Sequence, residues 1–573
     1  MPLCQRRPSS TRSREVPVAH GANRRRVRSV VAKANSKLNI KNAAALLAGS
    51  TLLSSVLGMY RERLINGMYY DTYKVGADAY TVAFTIPDFM FFVLVSGALS
   101  VSFIPVFNQR LASGNKQSAW DLSSSLINFL ALTTLAASIL IMIFAEPLVN
   151  VVVGPGLSES GRSLAVSMMR VIAVNPFLFS ISTVIASMQQ AIGRFTFYAL
   201  APTIYNIGII IGATFFTNGI NIFGWQVFDG GIMGVALGVV LGSVLQLIVS
   251  SIGLLGLDFD YRFIIKRKNK SFRQVLRLLR TRSLDQGIDY FNGLVETNLA
   301  SRMADGTVRA YQQASSLSLM PVNLIGVAIS NAAFPQMTEH LGAGREDLFR
   351  KELQVMIRVI IWLALPVAVI TYFARGYVVS FIYNGGDPVI SGFLGVLVLT
   401  IFFRTIYHIA ARSFYAQQDT KTPLYISFFA IGFNIILAII LVNLWSKNQN
   451  PGYGLAWAQS ITAVVEVIVL FFFMGRRMPR LFDRSFVNSI YKMVVAAVPT
   501  GLAAYLSVVM IPFGTNDKSF FLAFPKFIMI TVVSFAVYIW FSRRLRLKEA
   551  EPVLNRLRQI FFGRINLGWN WKR

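Results

Sequence analysis

Apolar stretches of about 20 residues, the length a helix needs to cross the hydrocarbon core of a bilayer, recur from Lys41 to Trp540 with short polar punctuation between them. In lipid every backbone polar group must be paired within its own segment or a closed barrel, so stretches of this length specify a bundle of spanning helices. Reading with that window places about fourteen segments, the first at 41–59 and the last at 523–542. Composition agrees: 54% of the 573 residues are hydrophobic and 14% are charged, against the roughly 25% charged of soluble domains. The single Cys4 leaves no intramolecular disulfide framework, and three histidines, His20, His340 and His408, make a histidine-rich metal centre improbable.

The charges are lopsided, 55 Lys+Arg against 26 Asp+Glu, for a formal net charge of +29. Their placement decides what they mean. They collect in an N-terminal tail (1–40), in alternate loops such as Arg262 to Arg282 and Arg476 to Arg484, and in a C-terminal tail (546–573). The remaining loops are nearly free of them; none falls between Thr217 and Gly230. That alternation is the cytoplasmic bias of Lys and Arg around spanning helices, and an even number of spans puts both termini in the cytoplasm. The excess therefore serves orientation and attraction to lipid headgroups rather than nucleic-acid binding. Val553 to Arg564 reads as an amphipathic interfacial helix.

An internal repeat runs through the spans. The segment from Ile104 to Gly114 aligns with that from Phe334 to Gly344, Ala79-Tyr80 with Ala310-Tyr311, and Asn206 with Asn434, all at an offset of about 230 residues. Such an offset covers six spans, so matching elements point the same way and the halves are related by an axis along the membrane normal. The expected fold is an all-α polytopic membrane protein with two parallel-related six-helix lobes and two added C-terminal helices. The boundaries read from the sequence are 41–256 for the N-lobe, 257–277 for a basic cytoplasmic inter-lobe loop, 278–474 for the C-lobe and 475–545 for helices 13 and 14.

No enzymatic constellation is present: the chain has no GxxxxGK[ST], HExxH or GxSxG. Transport is the remaining chemistry, and ionisable residues at membrane depth are its candidates. Arg61, Arg63 and Asp78, around the turn between spans 1 and 2, suit an anionic headgroup, and Arg302 and Arg309 flank the turn between spans 7 and 8. Arg61 can equally pair with Glu62 or Asp78, and Arg63 can snorkel to the interface. Asp289, Asn292 and Glu296 fall on one face of span 7, where they can bind a cation, relay protons or hydrogen-bond between helices. Arg404, His408 and Arg412 form a stripe on span 10, while Glu466 in span 12 has no evident partner.

These residues resemble a known family. Ser55 to Glu62 and Ala77 to Pro87, then Gly193-Arg194-Phe195 with Ala201-Pro202 and Asn206, and above all Phe414-Tyr415-Ala416-Gln417-Gln418-Asp419-Thr420-Lys421-Thr422-Pro423, are similar to the MurJ (MviN) lipid II flippases of the multidrug/oligosaccharidyl-lipid/polysaccharide exporter superfamily. The resemblance covers roughly residues 41 to 545. It implies fourteen helices in two lobes around a central cavity. It also implies flipping of lipid-linked peptidoglycan precursor across the bacterial cytoplasmic membrane by alternating access, without a cofactor, driven by Na⁺ or membrane potential. Expected partners are lipid II or a similar lipid-linked substrate, membrane lipids and cell-wall synthesis proteins. By the same resemblance Glu296 and Asn434 stand at Na⁺-linked positions, while charges usual in the family are replaced by Ser55, Phe91, Phe92, Ser96, Ser316 and Leu319. Other cargoes of the same fold, a different polyprenyl-linked oligosaccharide or a drug exchanged for a cation, fit the residues too. So does a transport-inactive cell-wall scaffold.

Overall fold

The computed structural model describes residues 40–551 except 96–97, 223–224, 256, 258, 384, 386, 446–449, 480, 515–516 and 518. Nearly all of the basic tails, the 553–564 segment and Ser96 lie outside the described residues. In chain order the N-terminal half contains α1 (Ile40–Ile65), α2 (Lys74–Leu94), α3 (Ala98–Ala112), α4 (Lys116–Pro147), α5 (Glu159–Ile172), α6 (Asn175–Ile192), α7 (Thr196–Phe215) and α8 (Met233–Ile252). The second half contains α9 (Lys270–Ser301), α10 (Thr307–Pro321), α11 (Ala328–Gly342), α12 (Glu346–Tyr383), α13 (Pro388–Ala416), α14 (Lys421–Trp445) and α15 (Tyr453–Arg477). Two more helices, α16 (Arg484–Met510) and α17 (Phe520–Arg544), pack on α12.

Twelve helical segments among the described residues are long and apolar enough to cross a membrane. They coincide with the expected spans except the first and seventh, where α1 and α9 stand. At 26 and 32 residues both have the length to cross; α1 keeps its charges to its ends, with Arg61-Glu62-Arg63 at the second, while α9 is the more polar because it opens on basic turns. Span 7 also starts earlier than position 278. The Asn269 side chain accepts the Ser271 N–H at 2.9 Å and caps a helix that begins at Lys270, so the second half of the basic loop is helical. The other departure from an all-helical chain is a two-strand antiparallel hairpin, β1 (Ile220–Ile222) with β2 (Trp225–Phe228), between α7 and α8.

The repeat has a structural counterpart. The second span breaks after Leu94 and resumes at Ala98; the eighth passes through a π-helical turn, Val322–Val327, and resumes at Ala328. Each half then turns on a left-handed glycine, Gly114 (φ 77°) and Gly344 (φ 70°). After span 4, Arg194 N–H donates to Gln189 C=O at 2.9 Å, and after span 10 Asp419 N–H donates to Phe414 C=O at 3.0 Å. Both close the same helix-ending motif.

The apolar core shows how the lobes meet. At the end holding the α1–α2 and α9–α10 turns, one buried cluster draws on both lobes, from Ile65, Val82 and Met169 to Leu317, Leu397 and Leu455. Toward the other end it divides. One core belongs to the N-lobe with the first turns of α9, including Phe103, Leu126 and Phe272, and a separate one to the C-lobe, including Phe349, Trp362 and Phe414.

Within the N-lobe, α7 and α8 approach backbone to backbone through glycines. A Cβ on Gly212 would lie 2.3 Å from Gly238 Cα, and one on Gly208 would lie 2.3 Å from Gly242 Cα. Backbone cannot yield as a flexible side chain can, so Gly212→Val is expected to cost about 3 kcal/mol or more, beyond ordinary overpacking. The measure is the thermal midpoint of the detergent-purified protein; an unchanged midpoint would contradict this packing.

Candidate functional site where the lobes meet

The last turn of α1 and the π-helical segment Asn66–Tyr70 that continues it place Glu62 and Asn66 one turn apart on one face. The two oxygens of Glu62 are held by arginines from different lobes. Oε1 meets Arg61 Nη2 at 2.6 Å, and Oε2 meets Arg309 Nη2, from α10, at 2.6 Å. Arg61 Nη1 also donates to Asn206 Oδ1 on α7 at 2.9 Å. Arg309, 5% exposed, donates to Asn66 Oδ1 through Nη2 at 3.1 Å and lies over the Tyr80 ring. The Asn66 and Gln313 amides pair beside it. Six polar side chains thus close on one another across the lobe boundary, which offsets much of the cost of burying their charges.

The other candidates around this turn are engaged with neighbouring backbone and side chains. Asp78, 1% exposed, accepts the Gly306 N–H at 2.6 Å through Oδ2 and the Arg309 N–H at 2.8 Å through Oδ1. It therefore caps the N-terminus of α10 from α2, where a carboxylate satisfies orphan donors and the helix dipole. Arg63 does not snorkel: its Nη1 donates to the Ser380 and Phe381 carbonyls at 3.0 and 2.9 Å, completing the end of α12. Arg302 caps α9 at its exposed end, with Nε donating to Asn298 Oδ1 at 3.3 Å. Asn298 itself donates to Val152 C=O at 2.7 Å, adding a fourth tie between lobes.

A second polar cluster lies inside the C-lobe. Asn434 Nδ2 on α14 donates to Glu296 Oε1 at 3.0 Å and Asn292 Oδ1 at 2.9 Å, and Asn292 Nδ2 donates to Glu296 Oε1 at 3.0 Å. The sequence match between Asn206 and Asn434 becomes a match of roles, since each asparagine ties its helix to a charged residue. Beside the cluster is a cavity of about 160 Å³ lined by Arg404, His408, Tyr415, Asn434, Thr462 and Glu466, among others. Glu466, without a partner in the sequence reading, accepts from the Ser427 hydroxyl at 3.2 Å. The Asp289 side chain lies outside the described residues.

The Phe414 to Pro423 motif folds into a joint, with Tyr415 also lining the cavity. Asp419 accepts the Thr422 N–H at 3.0 Å and the Thr422 hydroxyl at 2.6 Å, capping α14, and pairs with Arg477 at 2.6 Å. Arg477 also lies over the Phe414 ring, and Pro423 is buried in the first turn of α14. Arg194 occupies the matching N-lobe joint after Gly193. Burial pushes the Asp419 carboxyl up, but Thr422 and Arg477 outweigh it and hold it at about 2. A depressed carboxylate adds stability that is complete above its unfolded value near 4 and is lost as pH falls through about 2. Asp419→Asn is expected to lower the thermal midpoint at pH 7 and flatten its decline between pH 5 and 2; parallel curves would contradict this.

Glu62, Asn66 and Gln313 were not among the sequence candidates. Their signal was available as Glu62/Asn66 and Arg309/Gln313, two polar pairs at i, i+4 on helices that the repeat brings side by side.

Two packed lobes with a buried charged network at their junction are the architecture of a membrane transporter. The comparisons define it further. Residues 73–524 match the family described as lipid II flippase MurJ, and the chain belongs to that family. It is 24% identical over 525 residues to a probable lipid II flippase MurJ of Thermotoga maritima, covering 90% of this chain and 99% of that protein. It is 26% identical over 457 residues to a lipid II flippase MurJ of Burkholderia cenocepacia, covering 77% and 84%. The fold superimposes on a lipid II flippase MurJ in an inward closed conformation with TM-score 0.69 at 25% identity, over 87% of this chain and 99% of that one. An inward-facing MATE family multidrug resistance transporter shares the fold at TM-score 0.61 and 16% identity, over 75% and 96%.

Proposed function

We propose that this protein flips a lipid-linked peptidoglycan precursor, lipid II or a close chemical relative, across the bacterial cytoplasmic membrane. The observation that carries this reading is the convergence of Arg61 and Arg309, one from each lobe, on a single carboxylate. A planar guanidinium pair that grips two carboxylate oxygens is also suited to a phosphate. The polyprenyl tail stays in lipid while the pyrophosphate and sugar-peptide headgroup pass between the lobes, with Arg61 and Arg309 neutralising the phosphates. Arg63 and Asp78 set the helix ends around them, and Arg302 stands at the rim.

The cation distribution supports an orientation with both termini in the cytoplasm, which puts the joined end of the lobes outside and the divided end inside. Alternating access then consists of breaking the outer ties while an inner closure forms. Glu296, Asn292, Asn434 and Thr462 offer oxygen ligands of the kind a hard monovalent cation takes, so Na⁺ or membrane potential is the proposed driving force. The basic tails suit anionic lipids and acidic surfaces of cell-wall synthesis proteins. Reconstituted protein in liposomes containing lipid II is expected to raise outer-leaflet accessibility of the headgroup, measured by an impermeant headgroup reagent. Accessibility equal to that of protein-free liposomes would overturn the reading.

A further inference from the structure

The geometry points to a second recognition element between the lobes: Asp88, with the aromatic rings around it, receives a protonated primary amine on the peptide part of the headgroup. The inference rests on the flippase reading and adds to it a chemical preference for cargo.

Asp88 follows Pro87 in α2, and Tyr80, Phe84, Asp88 and Phe91/Phe92 recur at helical spacing along one face. Unlike Asp78 on the same helix, Asp88 is partly exposed, and among the described residues no hydrogen bond or ion pair reaches its carboxylate. Arg61 of α1 is committed to Glu62 and Asn206. Tyr80 and Tyr205 lie within electrostatic range of Asp88. Rings continue around it: Tyr80 packs on Phe84 at 5.0 Å, Phe91 on Phe179 at 5.6 Å and Phe179 on Tyr205 at 5.2 Å, centroid to centroid. One turn beyond Asp88, Phe92 stacks at 3.9 Å on Tyr290 of α9.

A lone carboxylate at membrane depth is costly until it meets a positive charge. The rings determine which charge fits, because π faces attract ammonium groups in desolvated sites and offer nothing to phosphate or to a neutral sugar. The lobe boundary and the N-lobe face beside it thus carry two chemically distinct groups, arginines suited to the diphosphate and a carboxylate near aromatic rings suited to an amine. This second group does not use the network of Glu62 or the C-lobe cluster of Glu296.

The test is a flipping assay with reconstituted protein and two lipid-linked disaccharide-peptide cargoes that differ only in a free or an N-acetylated primary amine. Wild type is expected to favour the free amine about tenfold in competition, the worth of one desolvated cation site. Asp88→Asn should move both cargoes at equal rates, Asp88→Glu should keep the preference, and Tyr205→Leu should reduce it. Thermal midpoints of the variants, matched to wild type, separate recognition from misfolding. Equal rates in wild type, or a preference that survives Asp88→Asn, would overturn the inference while leaving the flippase reading intact. A pH dependence that Asp88→Asn removes alike for both cargoes, with no amine preference, would assign Asp88 to a proton and also overturn it. Failure of wild type to flip either cargo would sink both readings.

Discussion

Arg309→Ala is expected to reduce flipping of a lipid-linked precursor by about two to four orders of magnitude, the scale set by removing one partner from a buried charge pair at about 3–5 kcal/mol. Without it Glu62 Oε2 loses its ion pair across the lobe boundary, and Asn66 loses a donor. Arg61 still holds Oε1, but Arg61 and Glu62 belong to the same helix, so among the described residues no ion pair then joins α1 to α10. Arg309→Lys should recover only part of the activity, because one ammonium cannot reproduce the fork that meets Glu62 and Asn66 together. Glu62→Gln is the informative companion, since it keeps hydrogen-bond acceptors and removes the charge. If the network serves transport, Arg309→Ala and Glu62→Gln should each impair flipping with losses that are far from additive, as expected for residues acting as one unit. Initial rates in proteoliposomes measure the effect. Near-wild-type rates for Arg309→Ala at equal protein content would remove the inter-lobe network from the mechanism.

Much of this fold is legible in the residues themselves, because in lipid the backbone rule leaves length and apolarity to define the spans. The repeat is readable for the same reason: Gly114 and Gly344 mark turns that require a positive φ, so their spacing carries geometry as well as identity. What escapes is pairing at long range. Arg309 and Glu62 are 247 positions apart, and nothing in either helix names its partner. Asp78 illustrates a different limit, because a carboxylate at a helix entrance looks the same whether it serves a ligand or caps a neighbouring helix. Only the positions of the Gly306 and Arg309 N–H groups decide. The Phe414 to Pro423 motif is the reverse case. It identifies the family well because Asp419, Thr422, Pro423 and Arg477 build a joint that the fold needs, and for that reason it says little about cargo.

Glu296→Ala is expected to abolish the dependence of flipping on a transmembrane cation gradient and to lower the gradient-driven rate by ten- to a hundredfold, the range of a coupling free energy of about 1–3 kcal/mol. Glu296 is 8% exposed, and its Oε1 gathers Nδ2 donors from Asn434 on α14 and Asn292 on its own helix. Thr462 on α15 donates to Asn434 Oδ1 at 3.4 Å, so three C-lobe helices meet in the network around this carboxylate. The helix that carries it, α9, also packs on α2 and α3 of the N-lobe and ties to Val152 through Asn298, two residues beyond Glu296. A cation bound or released at Glu296 would therefore act on the helix that both lobes share, a direct route from an ion to the lobe boundary. Glu296→Gln keeps the hydrogen bonds and removes the charge, so it separates packing from coupling. Its thermal midpoint should stay near wild type while gradient dependence is lost. Flipping rates measured with Na⁺, with a pH difference and with a membrane potential applied one at a time decide the matter. A Glu296→Gln protein that still responds to the same gradient as wild type would show that the ion acts elsewhere, with the Glu466 side of the C-lobe cavity the next place to substitute.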